Sequence, residues 1–197
     1  MGLRLTSRFE DALVFAAQLH REQCRKGSNV PYVSHLLAVS SLVIEHGGDE
    51  DQAIAALLHD AIEDQGGPKA RAKILRRFGE RVTEIVEGCT DSQADPKPPW
   101  RARKEAFIAG ISEKPPSVQL VCAADKLHNA RCILSDYRNV EVGEKVWERF
   151  KGGGREGTLW YYRELANALF PSGPPELVDE LERVVGEIER LANKKRG

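Results

Sequence analysis

His59 and Asp60 are adjacent, and the carboxylate pair Glu63-Asp64 follows within the next turn; His35 lies upstream and Asp125 downstream. An imidazole beside a carboxylate at the end of an apolar run (Ala53, Ile54, Ala56, Leu57, Leu58) has few purely structural explanations. Charge placed there is costly unless it is paired or coordinated. A divalent metal accounts for it directly: two His nitrogens and two Asp oxygens can hold such an ion and leave positions for water and substrate. On this reading His35, His59, Asp60 and Asp125 are the metal ligands and the chain is a metal-dependent hydrolase. For Asp125 alone the competing reading is an ion pair with Lys126 or an arginine.

Mixed imidazole and carboxylate ligands with open positions suit Mn²⁺, Fe²⁺ or Zn²⁺. A structural zinc would more often sit in a closed set of thiolates. Glu63 and Asp64, beside the ligands but not needed as ligands, could orient or deprotonate the attacking water. Asn129 falls four residues after Asp125 and so shares its helical face. Arg25-Lys26-Gly27-Ser28 offers a forked donor, a point charge and a glycine that lets backbone approach a ligand. Composition alone favours reading that loop as a solvated polar turn.

Helices must position these groups. Ser7 with Glu10 reads as a capping box, followed by an apolar face through Phe9, Leu13, Ala16, Ala17 and His20. Residues 25 to 31 form a loop. A second helix runs from Val33 or Ser34 to Glu45, ended by Gly47-Gly48. Asp49 or Glu50 opens a third, expected to carry His59 to Asp64 as its unbroken C-terminal end. On such a helix Glu63 lies about 40° from His59, Asp60 about 100° and Asp64 about 140°, all on one side. Gly66-Gly67-Pro68 closes it, with Pro68 in the first turn of the next helix and Gly79 as that helix's stop. Asp91 to Pro99, with three prolines, reads as a mobile loop near the site. Helices follow over Trp100–Ile111, Val118–Leu134 and Thr158–Phe170, with Gly152-Gly153-Gly154 as a flexible break. Leu177, Leu181, Val184, Val185, Ile188 and Leu191 mark a long amphipathic terminal helix, either packed on the body or a self-association surface. No stretch alternates with period two. The expected fold is all-α: one domain over 1–170, with a helical extension over 171–197 packed on it.

The chain has 197 residues, 41% of them hydrophobic, ample for one core. With 29 basic and 30 acidic residues, the net charge of −1 argues against a general nucleic-acid binder. No apolar run is long enough to span a membrane. Cys24, Cys89, Cys122 and Cys132 have no CxxC spacing and read as reduced thiols of a cytoplasmic protein.

Four ordered stretches resemble the hydrolase domain of Rel/Spo homologues, within the HD phosphohydrolase superfamily. They are Arg25-Lys26-Gly27 with Pro31-Tyr32 and His35; Ala55 to Asp60 with Glu63-Asp64; Phe78-Gly79 through Thr90-Asp91; and Ala124 to Arg131. The resemblance spans about residues 5 to 170, and no segment resembling the synthetase domain follows, so a stand-alone small alarmone hydrolase is expected. It implies a helical fold and one Mn²⁺ on His35, His59, Asp60 and Asp125. The implied reaction removes the 3′-pyrophosphate of (p)ppGpp, giving GDP or GTP. The resemblance gives Glu63 and Asp64 the catalytic acidic role and places Asn129 near the attacking water. It stacks Arg25 on the base and sets Lys26 and Ser28 where the loop meets the nucleotide. Arg103 and Lys104 could reach its phosphates, and Tyr161 or Tyr162 could line the pocket. Leu36 stands where a proline is common and Gln65 where a threonine is common, which leaves base preference open. The same site could instead take adenosine alarmones such as ppApp, or the 2′-phosphate of NADPH. A non-catalytic nucleotide-binding protein is the third alternative.

Overall fold

Asp49 begins the helix that feeds the site, and it does so by a reciprocal cap. Its carboxylate accepts from Gln52 N at 3.0 Å, while the Gln52 side chain accepts from Asp49 N at 2.8 Å. The computed structural model, which describes residues 4–92 and 96–194, turns the helical periodicity into ten α-helices. They are α1 Ser7–Leu19, α2 Val33–Glu45, α3 Glu50–Leu58, α4 Ala61–Asp64, α5 Pro68–Phe78, α6 Glu80–Cys89, α7 Trp100–Ile111, α8 Pro116–Arg138, α9 Gly154–Leu169 and α10 Pro175–Lys194. A 3₁₀ segment, Gly143–Arg149, joins α8 to α9. Among the described residues there is no strand, only an isolated bridge between Cys24 and Pro31. The fold is all-α, as the pattern predicts.

The core forms around two helices. Every residue of α3 from Ala53 to Leu58 is buried, because the short helix is enclosed by α1, α2, α6 and α8. α8 packs on α2, α3, α6, α9 and α10. α8 carries Asp125 among its buried residues and α3 ends immediately before His59, so the site rests on rigid elements.

Several local expectations are corrected. Thr6, not Ser7, caps α1, accepting from Arg8 N at 3.2 Å. Tertiary pairing sets that start: Thr6 N donates to Glu50 at 2.5 Å and Arg8 reaches Glu50 and Asp51. The third helix does not run unbroken to Asp64. It ends at Leu58, and α4 restarts at Ala61 after a tightened turn at His59 and Asp60. Of the 152–154 glycines, Gly152 and Gly153 are packing sites rather than a loose break, and Gly154 turns the chain at φ 56°. A Cβ at Gly152 or Gly153 would lie 2.6 or 2.7 Å from the Trp100 indole, so the ring needs their missing side chains. Of the loop at Asp91–Pro99, residues 93–95 lie outside the described residues, as does the basic tail beyond Lys194. None of the four cysteines is disulfide-bonded; Cys89 and Cys122 stand with sulfurs 3.5 Å apart.

α10 lies across α8 and α9 and buries Leu177, Val178, Leu181, Val185, Ile188 and Ala192. Its apolar face is thus covered by its own chain. Ion pairs rim the seam: Arg138 with Glu187 at 2.8 Å, Arg163 with Glu189 at 2.5 Å, and Arg131 with Glu180. Exposed pairs of this kind contribute about 0–1 kcal/mol each, so apolar burial holds the helix. Leu181→Ala is expected to cost about 2–5 kcal/mol and to lower Tm by roughly 5–15 °C in a thermal melt. An unchanged melt would show α10 to be loosely attached. No helix among the described residues is long and apolar enough to cross a membrane.

Candidate metal centre

Three elements deliver the centre. The first turn of α2 brings His35, the α3–α4 junction brings His59 and Asp60, and the middle of α8 brings Asp125. The loop before α2 folds back on itself, with Arg25 N donating to Val30 O at 2.9 Å and Tyr32 N to Gln23 O at 2.8 Å. Gly27 turns it at φ 73°, where a Cβ would also strike the Arg149 side chain.

His35, His59 and Asp125 are 0, 3 and 5% exposed. Asp125 Oδ1 lies 3.1 Å from His35 Nε2 and 3.5 Å from His59 Nε2. Asp60 Oδ2 lies 2.9 Å from His59 Nε2 and 3.7 Å from His35 Nε2. The ligand atoms of His35, His59 and Asp125 all fall within 4.8 Å of one another. Neither Nε2 makes a hydrogen bond of acceptable angle. Two buried imidazole nitrogens without a partner, aimed between two carboxylates, suit a divalent ion.

The outer contacts orient the rings for that task. His59 Nδ1 lies 2.8 Å from the Ala56 carbonyl, which can only accept, so in the neutral ring Nδ1 carries the proton and Nε2 keeps its lone pair. His35 Nδ1 meets His128 Nδ1 at 2.8 Å. Burial, His35 and Arg25 push His128 down to about 4, so it is a neutral ring able to accept there. Tyr32 Oη donates to Asp60 Oδ2 at 2.5 Å.

Burial opposes charge on each of these groups, and neighbours decide the outcome. His59 is held well above the usual histidine range because Asp60 and Asp125 outweigh its desolvation. Desolvation wins at His35, which is lowered. Burial would raise both carboxylates; His59 chiefly holds Asp60 low, and Lys126 and then His59 hold Asp125 low.

Asn129 links this centre to the Arg25 loop. Its Nδ2 donates to Asp125 Oδ1 at 2.5 Å, and its Oδ1 accepts from Arg25 Nη2 at 2.7 Å. Arg25 also lies 5.8 Å from the Tyr32 ring centroid. Lys26 and Ser28 are exposed on the same loop, where Ser28 Oγ accepts from Val30 N at 3.3 Å. Glu63 stands at the rim and accepts from Lys97 at 3.1 Å. Asp64 is held by Gln23 Nε2 at 2.7 Å, and burial with Asp60 and Glu63 raises it above the usual aspartate range. Arg103 and Lys104 converge on Asp91 at 2.6 and 2.7 Å, with Lys104 4.9 Å from the centroid of the buried Tyr161 ring. The Asp125–Lys126 ion pair forms as well, but on Oδ2, the oxygen that does not face the imidazoles. The ion pair and the contacts with the imidazoles therefore use different atoms of one carboxylate.

Sequence reasoning gave no role to Tyr32, His128, Gln23 or Asp91. Tyr32 and His128 sit inside stretches already singled out, and spacing had a usable signal: His128 is one turn after Asp125. Asp91 also ends one of those stretches, but its pairing with Arg103 and Lys104, like the place of Gln23, comes only from the tertiary fold.

A helical bundle whose His and Asp from three separated segments converge in this way fits an HD-type helical domain. The chain belongs to the HD domain family, which matches residues 12–159. Over 193 residues it is 31% identical to "GTP pyrophosphokinase rsh" of Brucella melitensis, covering 94% of this chain and 25% of that protein. Over 182 residues it is 29% identical to "Guanosine-3′,5′-bis(diphosphate) 3′-pyrophosphohydrolase" of Aquifex aeolicus, covering 91% and 26%. The chain thus spans about a quarter of the length of these curated relatives. Its structure matches that of a metazoan ortholog of SpoT described as hydrolyzing ppGpp, with TM-score 0.74 at 24% identity over 93% of this chain and 96% of that one. At that identity the likeness is one of fold. A Listeria monocytogenes EGD-e protein matches with TM-score 0.68 and 28% identity, over 78% and 97%.

Proposed function

We propose that the chain is a Mn²⁺-dependent 3′-pyrophosphohydrolase of alarmone nucleotides, converting (p)ppGpp and water to GDP or GTP and pyrophosphate. The observation that carries it is the pair of unpartnered imidazole nitrogens facing Asp60 and Asp125, joined through Asn129 to the Arg25 loop. Support also comes from relatives whose names state this hydrolysis. Residues 1–170 carry the activity, and the helix beyond braces α8.

His35, His59, Asp60 and Asp125 would hold the ion. A divalent ion there lowers the pKa of the water it binds and polarises a phosphoryl oxygen. Arg25 stacks on the base while the Nη2 edge of its guanidinium stays tied to Asn129, and Lys26 and Ser28 border the nucleotide. Glu63 and Asp64 orient the water and take its proton. The water oxygen bonds to the phosphorus attached to O3′, the P–O3′ bond breaks, and O3′ leaves with the proton that the acidic pair took from the water. Arg103 and Lys104 face the phosphates, and Tyr161 forms the floor beneath Lys104.

A panel of ppGpp, pppGpp, ppApp and NADPH with Mn²⁺, Fe²⁺ and Zn²⁺ tests this. Pyrophosphate release from ppGpp, fastest with Mn²⁺, is the expected result. Phosphate release from NADPH alone would assign the site to a 2′-phosphatase, and binding without turnover of any of the four would make the protein a nucleotide binder. Arg25→Ala should raise KM for ppGpp by about tenfold or more while metal content is unchanged, as loss of one stacked, hydrogen-bonded contact implies. An unchanged KM would remove Arg25 from the binding loop.

A further inference from the structure

Gln65 stands where a threonine is common, and its longer side chain has a definite partner in the fold. It closes α4, one residue after Asp64. Its Nε2 donates to Gln23 Oε1 at 2.6 Å. His20, which closes α1, brings its Nδ1 to 2.7 Å from the same oxygen. Gln23 then turns its own Nε2 to Asp64 Oδ2 at 2.7 Å. Side chains from α1, from the loop after it and from the end of α4 thus converge on one member of the acidic pair.

The donors along this chain run one way. Burial lowers His20, so the ring is neutral and carries a single proton. His20 Nε2 is buried with no hydrogen-bond partner among the described residues. A proton there would be an unsatisfied buried donor, so Nδ1 carries it. Stacking on Tyr32, with centroids 5.4 Å apart and planes 18° from parallel, holds the plane of the ring. Gln23 Oε1 therefore receives two hydrogens, and the 3.4 Å approach of Gln65 Nε2 to His20 Nδ1 is that of two donors to one acceptor. An amide fixed in this way has only N–H to offer Asp64. Flipping it would set its oxygen against the carboxylate and its NH₂ against both donors, so all three contacts would fail together.

We propose that His20 and Gln65 lock the Gln23 amide, and that Gln23 so locked positions Asp64 as an ionised acceptor for the attacking water. Asp64 needs that N–H: burial and then Asp60 raise its carboxyl and Glu63 adds to them, while the Gln23 hydrogen bond and, more weakly, His20 oppose the rise. The lock rests on the alarmone reading for its reaction but assigns Gln65, a residue that reading leaves idle. Gln23 and Gln65 are positioning residues, each acting only through Asp64.

Two measurements on the full chain test the lock. With ppGpp as substrate, Gln23→Met should lower kcat by about tenfold, as loss of a hydrogen bond to a charged group implies, with KM and metal content retained. Gln65→Met, which removes one of two donors to a neutral acceptor, should cost about fivefold. Gln65→Thr, too short to reach Gln23, guards against a folding defect and should lose as much. In an Asp64→Asn background none of these should lower kcat further by more than about twofold, because the group they serve is gone. No loss in Gln23→Met, or its full loss persisting on top of Asp64→Asn, overturns the proposal. Carbon-13 NMR titration of the Asp64 carboxyl in the Zn²⁺-loaded chain needs no turnover. An N–H donated to a carboxylate favours the charged form, so Gln23→Met should raise the midpoint by roughly half a pH unit or more, and Gln65→Met by less. An unmoved midpoint in Gln23→Met overturns the lock. A raised midpoint in a protein that hydrolyses no alarmone would support the lock and sink the substrate reading instead.

Discussion

His59→Ala is expected to abolish metal retention and hydrolysis together. The imidazole is buried, its Nδ1 is fixed on the Ala56 carbonyl, and its Nε2 lies 2.9 Å from Asp60 Oδ2. Alanine removes a ligand and leaves two carboxylates facing each other across an empty volume, where mutual repulsion favours protonation over ion binding. Asp60→Ala should behave alike, with the added loss of the Tyr32 hydrogen bond. The measurements are metal content after dialysis and pyrophosphate release from ppGpp. Either variant retaining a full equivalent of metal with parental turnover would end the case for this centre. The parent should also melt at a lower temperature after chelation, since an ion bound only by the folded state stabilises it by about 2.7 kcal/mol at a hundred times its Kd.

Glu63→Gln should separate the chemistry from the metal. The substitution keeps the side chain's size and its acceptor for Lys97, and Glu63 is not among the groups clustered around the ion position. Metal content and fold should therefore survive, while the proton acceptor for the attacking water is gone. A missing general base lowers the rate by roughly 10²–10⁴, and the loss should fall on kcat with KM nearly unchanged. Turnover by Glu63→Gln at the parental rate would move the base to Asp64, which Gln23 holds at 2.7 Å and whose carboxyl is raised by burial and by Asp60 and Glu63.

Much of the fold is legible from periodicity and punctuation. The apolar run before His59, the Asp49 start, Pro68 in a first turn and Gly79 as a stop all appear where local physics puts them. His59, Asp60 and Asp125 stand out as proposed ligands because charge after an apolar run is conspicuous, whereas His35, in the first turn of a helix, gains meaning only beside them. What escaped depends on distant partners. Glu50 and Asp51 move the α1 start to Thr6, a shift invisible from residues 5 to 10 alone. The turn at His59 and Asp60 breaks the helical wheel because those side chains are held by groups on α2 and α8 as well as by each other. Three neighbouring glycines read locally as looseness, yet two of them, Gly152 and Gly153, admit an indole from another helix. Gln23 reaches Asp64 only through tertiary packing, so no spacing could announce it, and Asp91, though inside a recognised stretch, finds Arg103 and Lys104 only in the fold.

That seated indole has a practical consequence. Trp100 opens the same helix that bears Arg103 and Lys104, and its ring centroid stands 6.2 Å from that of Trp160, which Arg101 covers at 3.2 Å. The protein thus contains its own optical gauge: a nucleotide that shifts this helix alters the quenching of two neighbouring fluorophores, and its arrival can be timed in a stopped-flow instrument with no dye attached.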